Sequence, residues 1–281
     1  MSIKEITILI TSFKSNNKIR NCLNSINPEY DVINIENSSD REYKEKIERD
    51  YKNVKCALTG ENIGYGNANN FGLKLIKTRF VLILNPDTEI FSDTIENFLK
   101  LAKSLKDFAI IGPNIISEKD FYKKTDSDIK KINQVKFVKG FAMLLNIEQF
   151  KNIGFFDKNI FFFLEEIDLC KRLISNNKKI YFAPNIFVFH KGASSHDDCI
   201  SLEMELSRNW HCMWSSFYFE KKYNGYLIAL IKILPKLFKS IIKMIFFKII
   251  GKNKKSQIHY YRLSGIINSV LGRKSWYRPK V

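Results

Sequence analysis

Short apolar runs alternate with segments of helical period through residues 6–111. Ile6–Ile10, Val32–Ile35, Val54–Leu58, Phe80–Leu84 and Ala109–Ile111 read as strands, being short, branched and bounded by turn residues. Between them, Ile19, Cys22, Leu23 and Ile26 fall at i, i+3, i+4, i+7, one face of a helix. Helices are likewise predicted over Ser39–Asp50, around Ala68, Phe71, Leu75 and Ile76, and along Ile95, Phe98, Leu99, Ala102 and Leu105. Alternation at this spacing means βαβ units and a mostly parallel sheet with helices on both faces.

The pattern then loosens. Val135–Leu145 reads as one long strand with Gly140 inside it, Glu165–Ser175 as a helix, and Ile180–Ala183 and Ile186–Phe189 as short strands ending at His190. Residues 200–222 read as a helix with Trp210, Trp214, Phe217 and Tyr218 supplying bulk. Tyr226–Ile250 is strongly apolar but punctuated by lysines. At roughly 100° per residue, Lys232, Lys236, Lys239 and Lys243 share one narrow stripe, and Lys248 falls outside it. Pro235 is expected to kink this segment or to start its second half. Mid-segment lysines disfavour a spanning helix. An interfacial helix, snorkelling its lysines toward head groups, is the preferred reading, with a core helix of one solvated edge the alternative.

Charge sharpens the division. The chain has 281 residues and a formal charge of +17, but no Asp or Glu follows Glu220. Residues 221–281 hold twelve Lys and three Arg, which leaves 31 bases against 29 acids before them. A basic block confined to the tail means a polyanionic partner, an anionic membrane face or a nucleic acid. The tail is too apolar for a solvated nucleic-acid arm, and the basic charge is not on the α/β part, so no nucleic-acid partner is expected. Five scattered cysteines without a CxxC argue against disulfides or a zinc knuckle and fit a reducing compartment. The apolar patch in MSIKEITILITSF is too short for a signal peptide and reads as a first strand of a cytosolic protein.

In an open parallel sheet, ligands bind at the carboxyl ends of strands. Thr11-Ser12-Phe13 follows the first strand, Glu36-Asn37-Ser38-Ser39-Asp40 the second, and the segment from Glu61 to Asn70, containing NIGYGNANN, the third. Asn85-Pro86-Asp87 follows the fourth. Each alone is ordinary turn chemistry; four lining one rim point to a site. Asp87 is either a cap or a hard-oxygen ligand for Mg2+ or Mn2+ on a diphosphate. Glu165, Glu166 and Asp168 crowd one helix start, which the helix dipole alone favours. The Phe161–Phe163 run before them would desolvate a carboxylate and so tune a general base. His190, before Gly192, is a metal ligand or a satisfied loop histidine.

The ordered set TSFK, ENSSD, NIGYGNANN, LNPDT, KGFAMLL, GFFD, FFFLEEIDLCKR and FHKGASS, over about residues 4–196, resembles glycosyltransferase family 2, in its rhamnosyltransferase-like branch. Further similarity lies in the closing YYRLSG…LGRK segment. The resemblance implies a GT-A α/β fold: a Rossmann-like nucleotide-binding sheet, mixed at its centre, with helices on both faces. A helical membrane-associating tail follows. The implied domains are 1–222, split near residue 112 into nucleotide-binding and acceptor-binding halves, and the basic tail 223–281. It also implies roles. Ser12, Phe13, Glu36 and Asn37 would lie around the base and ribose, and Asn62, Gly64, Gly66 and Asn69 near the diphosphate or donor sugar. Asn85-Pro86-Asp87 stands at the family's DXD-type motif, with Asp87 as metal ligand and His190 as a second. Glu166 stands where the family has its catalytic base, with Glu165 and Asp168 as alternates. Two departures mark this chain: Asn85 replaces the first aspartate of DXD, and Glu166 replaces the usual Asp.

The implied activity is an inverting, metal-dependent transfer of a sugar from a nucleotide donor, dTDP-rhamnose or a UDP-hexose or UDP-N-acetylhexosamine. The acceptor would be a saccharide or lipid-linked saccharide in bacterial surface polysaccharide synthesis, on the inner face of the cytoplasmic membrane. A reading of another class is a non-catalytic nucleotide- or nucleic-acid-binding protein.

Overall fold

The computed structural model describes residues 5–105, 107–116, 131–190 and 201–279. Its packing divides into two compact units: Met1–Phe156 with Leu169–Asp197, and Asp157–Asp168 with Asp198–Val281. The expected 222/223 boundary falls inside the helix Ser201–Asn224, which packs with the tail helices.

The first unit is built on one mixed sheet ordered β3-β2-β1-β4-β8-β6-β9-β5, with β7 on β9. The strands are β1 (Ile6–Ser12), β2 (Val32–Glu36), β3 (Val54–Leu58), β4 (Phe80–Leu84), β5 (Thr88–Ile90), β6 (Ile110–Ile116), β7 (Asn133–Gln134), β8 (Ala142–Asn146) and β9 (Ile180–His190). The helices are α1 (Lys18–Asn24), α2 (Arg41–Asp50), α3 (Tyr65–Leu73), α4 (Thr94–Leu105) and the part of α5 (Glu165–Ser175) from Leu169 onward.

β1 and β4 are buried along their whole length, as their unbroken apolar runs require. The period of two divides them between two cores. Ile6, Ile8, Ile10, Phe80, Leu82 and Leu84 pack with residues of α1, α2 and α4, and Leu9, Val81 and Ile83 with residues of α3 and α5. Each fully buried aliphatic side chain contributes about 1.5–3 kcal/mol, so this double-sided strand pair anchors the sheet. At α2, Asp40 caps the helix by accepting from Tyr43 N at 2.9 Å.

Several expectations need correction. The sheet is not mostly parallel: β1–β2, β1–β4, β2–β3 and β6–β9 are parallel, and β4–β8, β6–β8, β5–β9 and β7–β9 antiparallel. Of the expected long strand Val135–Leu145 only the part from Ala142 onward is strand, in β8; residues 135–141 are irregular, β7 ends before them at Gln134, and Gly140 lies in a turn, its carbonyl accepting from Tyr65 Oη at 2.9 Å. The two strands expected around residues 180–189 are one, and an irregularity in pairing across Ala183–Phe187 absorbs Pro184 without ending it. On α3 the buried face is Ala68, Asn69, Gly72 and Leu73; Phe71 and Leu75 are exposed. Gly72 sets this face, because a Cβ there would lie 2.9 Å from Ile35 Cγ1.

The second unit holds the long helices α6 (Ser201–Asn224), α7 (Tyr226–Ile249) and α8 (Asn253–Val270), with residues 157–168. Met213 and Phe217 of α6, Ala229 and Ile233 of α7 and Ile266 of α8 form its apolar core. Pro235 lies inside α7 and does not divide it into two helices. Gly265 lets α8 approach α6 so closely that a Cβ would run into the Trp210 carbonyl. Beside it, Trp210, Trp214 and Tyr277 pack together. His211 Nε2 meets the Tyr277 carbonyl at 2.9 Å and its Nδ1 meets Ser275 Oγ at 2.9 Å. A carbonyl only accepts, so Nε2 carries the proton, and burial holds the ring neutral with a pKa lowered to about 3.

Candidate active site

Three parallel strands end together, and the residues following them form one polar rim. At the end of β1, Ser12 Oγ donates to Glu36 Oε2 at 2.7 Å. Ser38 Oγ donates to Glu36 Oε1 at 2.8 Å, and Tyr43 Oη donates to Ser12 Oγ at 3.1 Å. Glu36 is buried, and burial raises its pKa. Both of its oxygens are engaged by donors of the chain, so it organises the floor of this rim. Phe13, next in sequence, is partly exposed.

The rim continues through asparagine side chains. Asn37 Oδ1 accepts from Ile63 N at 3.0 Å and its Nδ2 donates to Asn62 Oδ1 at 3.0 Å. Asn62 Oδ1 also accepts from Gly64 N at 3.1 Å. Gly64, at φ 89°, turns the chain into α3, a conformation that favours glycine. Gly66 is buried in the first turn of that helix. Asn69, expected near the diphosphate or donor sugar, has its side chain engaged within the chain. It is fully buried, with Thr11 Oγ1 donating to its Oδ1 at 3.2 Å and its Nδ2 donating to the Tyr65 carbonyl at 3.0 Å. It ties α3 to β1.

The turn between β4 and β5 carries the most informative atoms. Asn85 N donates to the Phe141 carbonyl at 2.9 Å, and Thr88 Oγ1 donates to the Asn85 carbonyl at 2.6 Å. These bonds fix the Asn85-Pro86-Asp87 backbone. Asn85 Oδ1 and Asp87 Oδ1 are nevertheless buried and accept no hydrogen bond. Such atoms cost about 1–3 kcal/mol each, so two in one turn mark a place prepared for a ligand. His190 Nε2 lies 3.4 Å from Asp87 Oδ1, too far for a good hydrogen bond and suited to two ligands of one ion. The pairing of Thr88 with His190 between β5 and β9 brings them together. Phe141 stacks on the His190 ring at 4.1 Å with 7° between planes and fixes its orientation. Sequence reading assigned Phe141 no role; its signal was the KGF segment. Among the described residues no group of three or more His, Cys, Asp or Glu forms a metal cage. Asp87 and His190 could hold a divalent ion that takes its remaining ligands from elsewhere.

The acidic cluster opens α5 and belongs, with Asp168, to the second unit. Phe163 and Leu164, directly before it, both have positive φ, 67° and 70°. Two successive non-glycine residues in that region are strained, which is common where a site is being shaped. Glu165 is buried, its Oε2 accepts no hydrogen bond, and burial together with the Glu166 charge holds its pKa well above the usual carboxylate range. Glu166 is partly exposed, and burial raises its pKa too. Asp168 differs: it accepts from Lys222 Nζ at 2.5 Å and Tyr223 Oη at 2.8 Å. It is committed to a structural ion pair. In the first unit, Arg172 donates to the carbonyls of Ile153, Gly154 and Phe155, and Asn70 brackets Phe156, accepting from its N–H at 3.0 Å and donating to its carbonyl at 2.8 Å. Both pin the GFFD segment, a role that sequence reading missed.

A family model described as glycosyl transferase family 2 matches residues 7–169, more than half of the chain. The chain belongs to glycosyl transferase family 2. The match ends just beyond the acidic cluster and contains every expected site residue except His190. Among curated relatives of this family 2 chain, the low-salt glycan biosynthesis hexosyltransferase Agl10 of Haloferax volcanii is 24% identical over 63% of the chain and 64% of its own length. The chain thus spans just under two thirds of that relative. The rhamnosyltransferase WbbL of Escherichia coli K12 is 24% identical over 77% of the chain and 93% of its own length. Solved structures share the fold at low identity. S. aureus TarS 1-349 superposes with TM-score 0.55 at 12% identity over 98% of this chain and 93% of that one. The mannosyltransferase PcManGT of Pyrobaculum calidifontis, in complex with GDP-Man and Mn2+, gives 0.59 at 11% over 96% and 88%. These neighbours establish the GT-A fold for this family 2 chain.

Proposed function

We propose that this chain is an inverting, metal-dependent glycosyltransferase. The observation that carries this is the pair of buried, unsatisfied oxygens on Asn85 and Asp87, with His190 Nε2 3.4 Å from the latter. The neighbour solved with GDP-Man and Mn2+ supports a nucleotide-sugar donor and a divalent ion, Mg2+ or Mn2+. Ser12, Phe13, Glu36 and Asn37 would form the nucleotide side of the site, and Asn62, Gly64, Gly66 and Asn85 the diphosphate side. Asn69 supports this side from within α3. Asp87 and His190 would hold the ion, which when bound would neutralise charge developing on the leaving diphosphate.

Glu166 is proposed as the base. Burial raises its pKa, which makes its carboxylate a stronger base. It takes the proton of an acceptor hydroxyl as that oxygen bonds to the anomeric carbon and the bond to the diphosphate breaks. One displacement inverts configuration and needs no enzyme nucleophile. Asp168 is occupied by Lys222 and Tyr223, and Glu165 is more buried, which favours Glu166 among the three.

The rhamnosyltransferase relative favours dTDP-rhamnose as donor, with a UDP-hexose or UDP-N-acetylhexosamine as the competing reading. The acceptor is proposed to be a lipid-linked saccharide of a bacterial surface polysaccharide, met by an enzyme peripheral on the cytoplasmic face of the membrane. Incubation with dTDP- and UDP-sugars, Mn2+ and lipid-linked acceptors tests this. Release of nucleoside diphosphate with a new glycan of inverted anomeric configuration supports it; retention of configuration would falsify the single-displacement mechanism.

A further inference from the structure

Among the described residues, α7 carries a long run of exposed apolar side chains. Ala229, Ile233 and Ser240 are its buried residues, and Ala229 and Ile233 face α6 and α8. Roughly opposite, at about 100° per residue, lie Leu227, Ile231, Phe238, Ile242, Ile245 and Ile249. They are 50–79% exposed. Leu234, 37% exposed, fills the gap in their spacing. The result is an apolar stripe running the length of the helix, about 36 Å. Isolated exposed leucines are ordinary, but a continuous stripe is an interaction surface.

The lysines decide what covers it. Lys232 pairs with Glu220 at 2.9 Å and Lys236 reaches Ser216 Oγ at 3.4 Å, so these two belong to the contact with α6. Lys239 and Lys243 are exposed, make no ion pair among the described residues, and stand on the flank of the helix between the stripe and the packed face. No acid follows Glu220 in sequence. A second copy docked along this face would bring lysines against lysines with no tail carboxylate to neutralise them. An anionic lipid surface supplies both the apolar layer and the opposite charge. No described helix is long and apolar enough to cross a membrane, so this helix would lie in the plane of the surface.

We propose that the Leu227–Ile249 stripe of α7 inserts into the head-group boundary of an anionic membrane, with Lys239 and Lys243 at the phosphates. This gives the peripheral location a specific face; it does not rest on the transfer chemistry. The test is co-sedimentation of the full chain with phosphatidylglycerol/phosphatidylcholine vesicles against phosphatidylcholine alone. The triple variant Ile231→Gln/Phe238→Gln/Ile245→Gln, all at exposed positions, should lower partition by roughly a hundredfold or more while leaving the thermal transition in place. Lys239→Gln/Lys243→Gln should lower it by roughly tenfold and weaken its salt dependence. Equal binding to both vesicle types, or unchanged binding in the triple variant, overturns the proposal. So does a concentration-dependent dimer, abolished by the triple variant, in a chain that ignores vesicles. Sugar-nucleotide binding measured in parallel separates failure of this surface from failure of the transferase reading.

Discussion

Asp87 Oδ1 and His190 Nε2 lie 3.4 Å apart because Thr88 and His190 are directly paired between two antiparallel strands. The carboxylate enters this pair from the stiff turn after β4, the imidazole from the last residue of β9. In Asp87→Ala, donor binding should lose its dependence on Mn2+ with the fold intact. Calorimetric titration of nucleotide sugar with and without Mn2+ reads this directly. His190→Ala should weaken the dependence without abolishing it, since the carboxylate remains.

Glu166→Gln keeps the side chain's size and removes its basicity. Donor affinity should be unchanged while turnover falls by about 100- to 10,000-fold, the usual contribution of a general base. Full transfer in this variant would remove Glu166 from the mechanism. Asp168→Asn should act on stability, through Lys222 and Tyr223, before it acts on chemistry.

The sequence made the sheet legible where its physics is local. β3, β4 and α5 lie where the apolar period puts them, because buried strands and amphipathic helices carry their periodicity in the residues themselves. What escaped depends on distant partners. Asn69 reads as a loop amide until Thr11 is seen to engage it from β1. Asp168 looks like one more acid at a helix start until Lys222, far along the chain, reaches it. Gly140 looks like a glycine within a strand, but it lies in a turn and β8 begins only at Ala142. The Asp87–His190 pairing requires a register that no local pattern states.

Glu165 gives a pH signature. Its native pKa is raised well above the ordinary carboxylate value by burial and by Glu166, while the unfolded chain titrates near the ordinary value. Between those two pH values the unfolded state has released a proton that the native state keeps, so stability falls as pH rises. Below the ordinary value both states hold the proton and the effect vanishes. Glu165→Gln should flatten this slope in melting temperature measured from mildly acidic to neutral pH. An unchanged slope would assign the effect elsewhere.

Arg172→Ala should destabilise the first unit by about 1–3 kcal/mol, because three loop carbonyls lose a charged donor. Gly265→Ala should destabilise the second unit by about 1–3 kcal/mol, through overpacking of α8 against the Trp210 carbonyl. Thermal or urea unfolding of each variant measures these changes.

The most direct test of a metal-dependent donor site is a thermal-shift comparison of wild type and Asp87→Ala. Each is examined with dTDP- and UDP-sugars, in Mn2+ and in chelator. At roughly 100 times Kd, a ligand should stabilise the wild type by about 2.7 kcal/mol in Mn2+. The shift should be largely lost in chelator and in Asp87→Ala. Stabilisation of equal size in chelator, or an undiminished shift in Asp87→Ala, would contradict the assignment of Asp87 to a metal-bound diphosphate.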